Sequence, residues 1–494
     1  MKKHTILIMA VAGIILVGCT DFLNIRPEGT TTSEGLDYSN PENIFKPVSA
    51  AYAQLRSYNC SAFPFIGCLE VTSDDADKGS TPEDGASMKE LQTFTYGASN
   101  ELVLAQWTGW YDVVSAANNA LDQMTQFKKE LQSEENLALV EQCIGDAKFI
   151  RAYAYFYLVR MWGNIPLVDK TMSATELASL QQKTPAQIYE FIEADLQDAI
   201  ERLPASWPRT YISRANKYTA MAYKAKVHLY QGEYDQAAAL CDEIIASGKY
   251  SLMPDFRYVF SMEGENCQES VFEIESSTLG KTTGDAAYSE YAYHQGPRNN
   301  TPANMQGWGF CTPSESLVEF LTDRGDTERM AATLLYSGST TPEGDYISDK
   351  CPNPIYNGKV YTPSSYNKWN NNGYGYDHNL RAMRYSEVLL MYAEALARNA
   401  VPGAKSGYSA ATALDMVRSR VGLESVAPSL ANILDERRAE LAMEEDRFLD
   451  LIRTGRAAEV LGPLGYTEGK NNLFPIPATQ LQLNTNLHQN PNYL

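Results

Sequence analysis

Apolar residues recur every three to four positions over much of the chain, which is the spacing that places them on one face of an α-helix. Three long helices are predicted from this spacing, at residues 103–127, 141–162 and 185–203. Gly163 and Pro204 follow the second and third of them and are typical helix terminators. The tryptophans on these helical faces are expected in the core: Trp107, Trp110 and Trp162.

Two further helical runs, Thr219–Tyr230 and Tyr234–Ser247, meet at Gly232. Small residues lie where the two helices would cross, and their spacing resembles a tetratricopeptide repeat. Arg384–Arg398 and Tyr408–Arg420 form a second such pair. Because a repeat needs neighbours to bury its face, we expect a mostly α fold with about four helix pairs stacked in a right-handed, tetratricopeptide-like superhelix.

The helical spacing is interrupted between the two sets of repeats. Ser270–Ile274 alternates apolar and polar residues and predicts a strand. The surrounding stretches 251–312 and 336–380 are rich in Tyr, Asn and Gly, and long loops of this kind are usually functional or disordered. We therefore expect repeats mainly at 40–250 and 380–460, with minor β structure and a loop-rich ligand-binding insert at about 251–380.

The N-terminus has the organisation of a secretory signal. Lys2 and Lys3 precede an apolar run, 6–17, that is too short to cross a bilayer. The run ends in Leu-Val-Gly-Cys, which resembles a bacterial lipobox with Cys19 as the lipidated residue. We expect a signal peptide at 1–18, a lipidated tether at 19–30 and a single domain at 31–494.

Charge and composition exclude several classes of function. The chain has 61 acidic and 41 basic residues and a formal charge of −20, so nucleic acid is not an expected partner. None of the five histidines has metal-ligand spacing, and no P-loop, dinucleotide or G-x-S-x-G motif occurs. No cofactor is expected, although acidic loops are compatible with a structural Ca²⁺.

The cysteines give no disulfide framework. Seven remain after Cys19, an odd number, and none forms a C-x-x-C pair. Cys143 and Cys241 lie on apolar helical faces and are expected as small buried residues. A bridge between Cys60 and Cys68 is left open by the sequence.

An ordered set of motifs identifies a family. The motifs are Ala147–Tyr153, Trp162–Leu167, Arg384–Ala395, Glu436–Leu441 with Arg447 and Asp450–Arg453, Leu473–Pro477, and Gln489–Pro491. In this order, behind a lipobox, they resemble the SusD/RagB family of outer-membrane nutrient-binding lipoproteins of Bacteroidetes.

The resemblance implies a function without catalysis. Such proteins lie on the extracellular side of the outer membrane, bind glycans and cap a SusC-like TonB-dependent transporter as a hinged lid. It also implies that the glycan site lies in the loop-rich part and that the helical repeats serve the partner contact. A minority of members take peptides instead.

The motif helix near the C-terminus has a structural interpretation as well. Leu434, Leu441 and Phe448 are one heptad apart and would face inward along a single helix. Asp450 and Arg453 are spaced to pair at i,i+3. We therefore expect this helix to be scaffold.

Flat aromatic rings beside polar groups suit a sugar, which offers apolar faces and a rim of hydroxyls. Three loop stretches supply this mixture, and the resemblance implies ligand contacts in the first two. The candidate glycan-binding residues are Asp74, Asp75, Tyr96, Asn100, Tyr288, Tyr291, Tyr293 and Trp308. Trp308, between two glycines, is the leading candidate, and its alternative role is a wedge that holds the loop against the helices.

Two other classes of function remain as alternatives. A glycoside hydrolase would need two carboxylates about 5–9.5 Å apart in a cleft, and Asp74 with Asp75 is weak evidence for one. A pure protein-interaction scaffold would have no need of the aromatic loops.

Overall fold

The computed structural model describes residues 35–277, 290–300, 306–366 and 377–493. Helix accounts for 53% of the residues and strand for 8%, which confirms the mostly α prediction. The α-helices are α1 (Lys46–Leu55), α2 (Tyr58–Ser61), α3 (Phe63–Leu69), α4 (Ala86–Gln92), α5 (Glu101–Glu130), α6 (Glu134–Trp162), α7 (Ala174–Leu177), α8 (Pro185–Arg202), α9 (Lys217–Gln231), α10 (Tyr234–Ala246), α11 (Tyr291–Gln295), α12 (Glu315–Asp323), α13 (Thr327–Thr333), α14 (Tyr385–Ala397), α15 (Ala410–Arg420), α16 (Leu430–Leu441), α17 (Arg447–Arg453), α18 (Ala457–Leu461) and α19 (Ala478–Leu483).

The strands are short and pair two by two. They are β1 (Ala76–Gly79), β2 (Ile165–Pro166), β3 (Gln182–Lys183), β4 (Ser270–Ile274), β5 (Phe310–Pro313), β6 (Leu334–Tyr336), β7 (Ile355–Asn357) and β8 (Leu380–Arg384). The antiparallel pairs are β1 with β5, β2 with β3, β4 with β8, and β6 with β7. The predicted strand is β4, and its partner β8 leads directly into α14.

The long helices pack in succession, each on the next. Helix α5 packs on α6, α6 on α8, α8 on α9, and α9 on α10. Helix α10 then packs on α14, which also contacts α15 and α16. Helices α10 and α14 are therefore neighbours in the stack, although the loop-rich insert separates them in the sequence.

Local sequence explains the sharp turn between α9 and α10. The Asn216 side chain accepts hydrogen bonds from the first turn of α9, at Tyr218 and Thr219. Gly232 ends the helix with φ +76°, a left-handed conformation that costs glycine little. The predicted helix pair is thus confirmed, with α10 beginning only two residues beyond Gly232.

Apolar burial is concentrated along the helical stack. The core includes Trp107, Trp110 and Trp162, which are at most 3% exposed, as predicted. Cys143 and Cys241 are buried, also as predicted. Cys60 and Cys68 are free thiols, so no bridge joins them. Along the ranges that the structure describes, no helix combines the length and apolarity needed to cross a bilayer.

The single helix expected across 436–453 is wrong. Helix α16 ends at Leu441 and α17 begins at Arg447, and between them Met443 and Glu445 have φ of +64° and +63°. Because left-handed residues break the helical path, Phe448 does not continue the face of Leu434 and Leu441. Both helices are part of the scaffold, and Asp450 pairs with Arg453 as predicted, at 2.6 Å.

Buried charges fasten α16 to its neighbours. Arg329 of α13 is fully buried and pairs with Asp326, Glu436 and Glu440 at 2.6, 2.7 and 2.9 Å. Glu440 also binds Arg384, at 2.8 Å. The acidic residues of this family motif therefore act as structural anchors, since a buried charge requires a partner.

The C-terminal segment closes onto the end of α6. Phe474 N donates to Met161 O at 2.7 Å, and the Trp162 indole donates to Pro475 O at 3.0 Å. The Asn490 side-chain amide donates to Trp162 O and Phe474 O. The last residues of the chain thus complete the packing of a helix near its start.

Candidate functional site

Two glycines and a strand pair position Trp308. Strand β1 pairs with β5, which begins two residues after Trp308. A Cβ on Gly307 would lie 2.5 Å from the carbonyl oxygens of Gly296 and Tyr293, so only glycine fits there. Gly309 has φ +69°. The loop therefore turns tightly on both sides of Trp308.

The Trp308 ring is half-buried, with one side against the core. Tyr293 packs edge-on to it, with ring centroids 6.2 Å apart. The Trp308 amide donates to Tyr293 O at 3.0 Å. The Arg298 guanidinium carbon lies 5.6 Å from the ring centroid, within the range of a cation–π contact.

Further rings extend this surface through His294. Its ring lies 6.5 Å from Tyr293, 5.7 Å from Tyr58 and 5.1 Å from Phe63. Tyr58 is 44% exposed, and Phe63 is half-buried. We define the Trp308 surface as Trp308, Tyr293, His294, Tyr58 and Phe63 together with the polar group below.

A polar group borders the rings. Arg298 forms an ion pair with Asp84 and donates to Ser80 Oγ at 2.7 Å. Burial alone would raise the pKa of Asp84, but the Arg298 guanidinium and hydrogen bonds from Ser80 and Thr81 together outweigh it and hold the pKa below its ordinary value. Lys78 donates to the carbonyls of Thr81 and Asp84, both at 2.7 Å. Donors and acceptors thus lie beside apolar ring faces, the combination that suits a hydroxyl-rich, uncharged ligand.

Asp74 and Asp75 are turned inward, away from solvent. Asp74 is bound by Arg447 at 2.8 Å and by Arg438 at 2.9 Å, and Asp75 is bound by Arg438 at 2.8 Å. The two carboxylates fasten the segment before β1 to α16 and α17. They do not form an open acidic pair, and this removes the evidence for a hydrolase that rested on them.

Tyr96 and Asn100 also have structural roles, which corrects their assignment as ligand contacts. Tyr96 is 2% exposed and packs against Phe474 and Tyr493, so no face of its ring is open. Asn100 caps α5, where its Oδ1 accepts from the amides of Leu102 and Val103. A buried ring and a satisfied cap leave little to offer a sugar.

The three tyrosines of the third stretch have different positions. Tyr288 lies outside the described residues. Tyr293 and Tyr291 are both 5% exposed, and Tyr293 supports Trp308 from beneath. Tyr291 points into the protein and donates to Glu445 Oε1 at 2.6 Å. Among the described candidates of this stretch, Trp308 is thus the least buried.

Glu445 belongs to a buried acidic pair below the Trp308 surface. Its amide donates to Glu70 Oε2 at 2.6 Å, and both side chains are buried. Burial raises the pKa of Glu445 to about 8, although the hydrogen bond from Tyr291 acts to lower it. Burial likewise raises the pKa of Glu70 well above its ordinary value.

Sequence reasoning missed Tyr58, Phe63, His294 and Asp84 as parts of this surface. Tyr58 and Phe63 lie in the short helices α2 and α3, well before the loop-rich insert in which the glycan site is expected. Arg298 follows Tyr293 by five positions, and this closeness to the predicted tyrosines was the one sequence signal for the polar group. The β1–β5 pairing places Gly79 opposite Phe310, and this brings Asp84 within reach of Arg298.

Family models match two parts of the chain. The model of the SusD family matches residues 268–493, and a model described as "Starch-binding associating with outer membrane" matches residues 67–229. A SusD-like protein, P2, of Formosa agariphila is 30% identical over the whole length of both chains. The chain belongs to the SusD family. A SusD-like protein of Bacteroides ovatus is 24% identical, over 91% of this chain and 82% of its own.

Solved structures of SusD-family proteins have the same fold. A laminarin-binding SusD-like protein has a TM-score of 0.79 and 28% identity, over 92% of this chain and 99% of its own. Surface glycan-binding protein A from Bacteroides thetaiotaomicron, solved with laminarihexaose, has a TM-score of 0.77 and 25% identity, over 91% and 99%. These SusD neighbours confirm the predicted tetratricopeptide-like fold class.

Proposed function

We propose that this SusD-family chain binds a glycan at the Trp308 surface and delivers it to a SusC-like TonB-dependent transporter of the outer membrane. The observation that carries the proposal is the half-buried Trp308 ring, braced by Tyr293 and bordered by the Arg298–Asp84 pair. A ring fixed in this way loses little conformational entropy when a sugar stacks on it.

The relatives support a binding protein and suggest the first ligand to test. Two neighbours of similar fold are named for laminarin or were solved with laminarihexaose. The relatives are SusD-like binding proteins rather than enzymes, so the proposed function involves no bond cleavage. Laminarin is therefore the leading candidate, with starch second because of the family model's description.

Calorimetric titration of the purified full chain with laminarihexaose tests the site. We expect Trp308→Ala to weaken binding by about tenfold or more, which corresponds to about 1.4 kcal/mol. It should also cost about 2 kcal/mol of stability, roughly half the cost of removing a fully buried tryptophan. Trp308→Phe keeps an aromatic ring and should recover much of both losses.

Tyr211→Ala is the matched control, since Tyr211 is 39% exposed but packs against Phe45, away from Trp308. Equal affinities of wild type and Trp308→Ala would refute the site. Failure of the wild type to bind any of a panel of neutral glycans would refute glycan binding and favour a peptide ligand, which the panel should therefore include.

The delivery and anchoring parts of the proposal need separate tests. We propose that Cys19 is lipidated and holds the protein on the extracellular side of the outer membrane. Incorporation of labelled fatty acid that Cys19→Ala abolishes would support this. Purification from outer membranes should yield a TonB-dependent transporter in equal amount, and its absence would refute the transport partner.

A further inference from the structure

Two helices and the turn that follows the second bring metal-binding atoms together in a cluster that shares no residue with the Trp308 surface. Glu193 of α8, His228 of α9 and Glu233, which directly precedes α10, each place one ligand atom within 4.8 Å of the other two. His228 is 6% exposed, and the two glutamates are partly exposed. The cluster therefore has a buried nitrogen and an accessible carboxylate rim.

The turn at Gly232 forms this arrangement. Its left-handed conformation folds the chain back so that Glu233 N donates to His228 O at 2.9 Å. The Glu233 carboxylate then lies 2.5 Å from His228 Nδ1. Gln231 Nε2 donates to Glu193 Oε1 at 2.6 Å and fixes the third member. The side chains are thus positioned by backbone geometry and by a neighbouring amide.

The cluster carries more negative than positive charge. In the described ranges, no lysine or arginine forms an ion pair with Glu193 or Glu233, and the contact of Glu233 is with His228. Lys224, one turn before His228, interacts electrostatically with Glu193 without an ion-pair contact, and its ammonium donates to Gln197 Oε1 at 2.8 Å. A divalent cation would balance the two carboxylates.

The ligand types select the class of ion. Imidazole nitrogen with carboxylate oxygens suits Zn²⁺ and its first-row neighbours, whereas Ca²⁺ and Mg²⁺ prefer all-oxygen sites. Three protein ligands would leave at least one position for water. Atoms less than 4.8 Å apart are close enough for one ion to contact all three after small side-chain rotations, because metal–ligand distances are about 2.0–2.2 Å.

We propose that Glu193, His228 and Glu233 bind Zn²⁺ or a similar first-row divalent ion, which ties α8 to the α9–α10 pair. The ion replaces the contact between His228 and Glu233, and any proton that they share is released to solvent. The site lies within the helical stack and is independent of glycan binding.

Titration of the full, EDTA-treated chain with Zn²⁺ alone tests the site. Glu193→Gln keeps an oxygen that can accept from Gln231 but removes the anionic ligand, and His228→Gln removes the nitrogen. We expect one ion per wild-type chain, and a loss of more than about tenfold in affinity in either variant, since even partners of metal ligands contribute that much. Zn²⁺ should raise the melting temperature of the wild type more than that of Glu193→Gln or His228→Gln.

Two matched controls exclude binding elsewhere. His488→Gln removes an exposed histidine, and Cys267→Ser removes a partly exposed thiol. Both should bind Zn²⁺ as the wild type does. No saturable binding by the wild type, or wild-type affinity in Glu193→Gln, would overturn the proposal, and Glu193→Gln decides it even if His228→Gln fails to fold.

Discussion

Replacing Arg329 with methionine tests whether the buried charge network stabilises the fold. Arg329 is fully buried among Asp326, Glu436 and Glu440. Without it, Glu436 keeps Arg324 and Arg418, and Glu440 keeps Arg384 and Arg420. Asp326 keeps only Arg324, at 3.9 Å. The substitution therefore isolates one buried carboxylate.

The magnitude follows from that isolated charge. Removing one partner of a buried pair typically costs 3–5 kcal/mol, here about 4 kcal/mol, because the buried Asp326 carboxylate is left with a distant cation, Arg324 at 3.9 Å, and its helix-cap hydrogen bond. The Asp326 side chain caps the N-terminus of α13, and Asp326→Asn removes its charge but keeps a side chain that can form the same cap. The double variant Asp326→Asn, Arg329→Met should recover at least about 1 kcal/mol of the loss.

Urea unfolding monitored by circular dichroism measures both effects, as a double-mutant cycle. Arg257→Met is the matched control, because Arg257 pairs with Glu343 at 2.7 Å but both are about one-third exposed. It should cost less than about 1 kcal/mol. A similarly small loss for Arg329→Met, or no recovery in the double variant, would refute the reasoning.

Two further predictions concern the region around the Trp308 surface. The pKa of Glu445 is raised from 4.5 to about 8 in the folded chain, so the folded state holds this proton more tightly and the residue's contribution to stability falls as pH rises from about 5 to 8. In urea unfolding at these two pH values, Glu445→Gln should reduce the fall in the free energy of unfolding by more than about 1 kcal/mol. The same fall in wild type and variant would contradict this. Gly307→Ala should lower stability by about 1–3 kcal/mol and weaken glycan binding, because its Cβ would clash with Gly296 O. Gly462→Ala is the control, since a Cβ there meets nothing within 4 Å. Equal melting temperatures for the two variants would show that the loop has room for a Cβ at position 307.

The sequence predicted those helices whose ends carry local signals. Helix α8 was expected at 185–203 and spans Pro185–Arg202, since Pro185 starts it and Pro204 follows it. The break between α16 and α17 was missed because Met443 and Glu445 adopt left-handed conformations without a glycine or proline to mark them. Their conformation is imposed by tertiary contacts such as Glu445 with Glu70.

The candidate site was predictable only where one short stretch carried it. Trp308, flanked by glycines, lies on the proposed surface, and Tyr293 supports it. Asp74 and Asp75 have the sequence of an exposed acidic loop, yet Arg438 and Arg447, more than 360 positions later, bury them. The Glu193–His228–Glu233 cluster shows no ligand spacing, because Glu193 comes from a separate helix.

The closure of the C-terminus onto α6 has a consequence for biogenesis. The Trp162 indole donates to a carbonyl 313 positions later in the chain, and the Trp162 carbonyl accepts from Asn490, 328 positions later. Contacts so distant in sequence form slowly, after the intervening chain has been made. A chain that has not yet reached Pro475 and Asn490 therefore lacks both hydrogen-bond partners of Trp162, and the end of α6 cannot complete its packing before those residues are present.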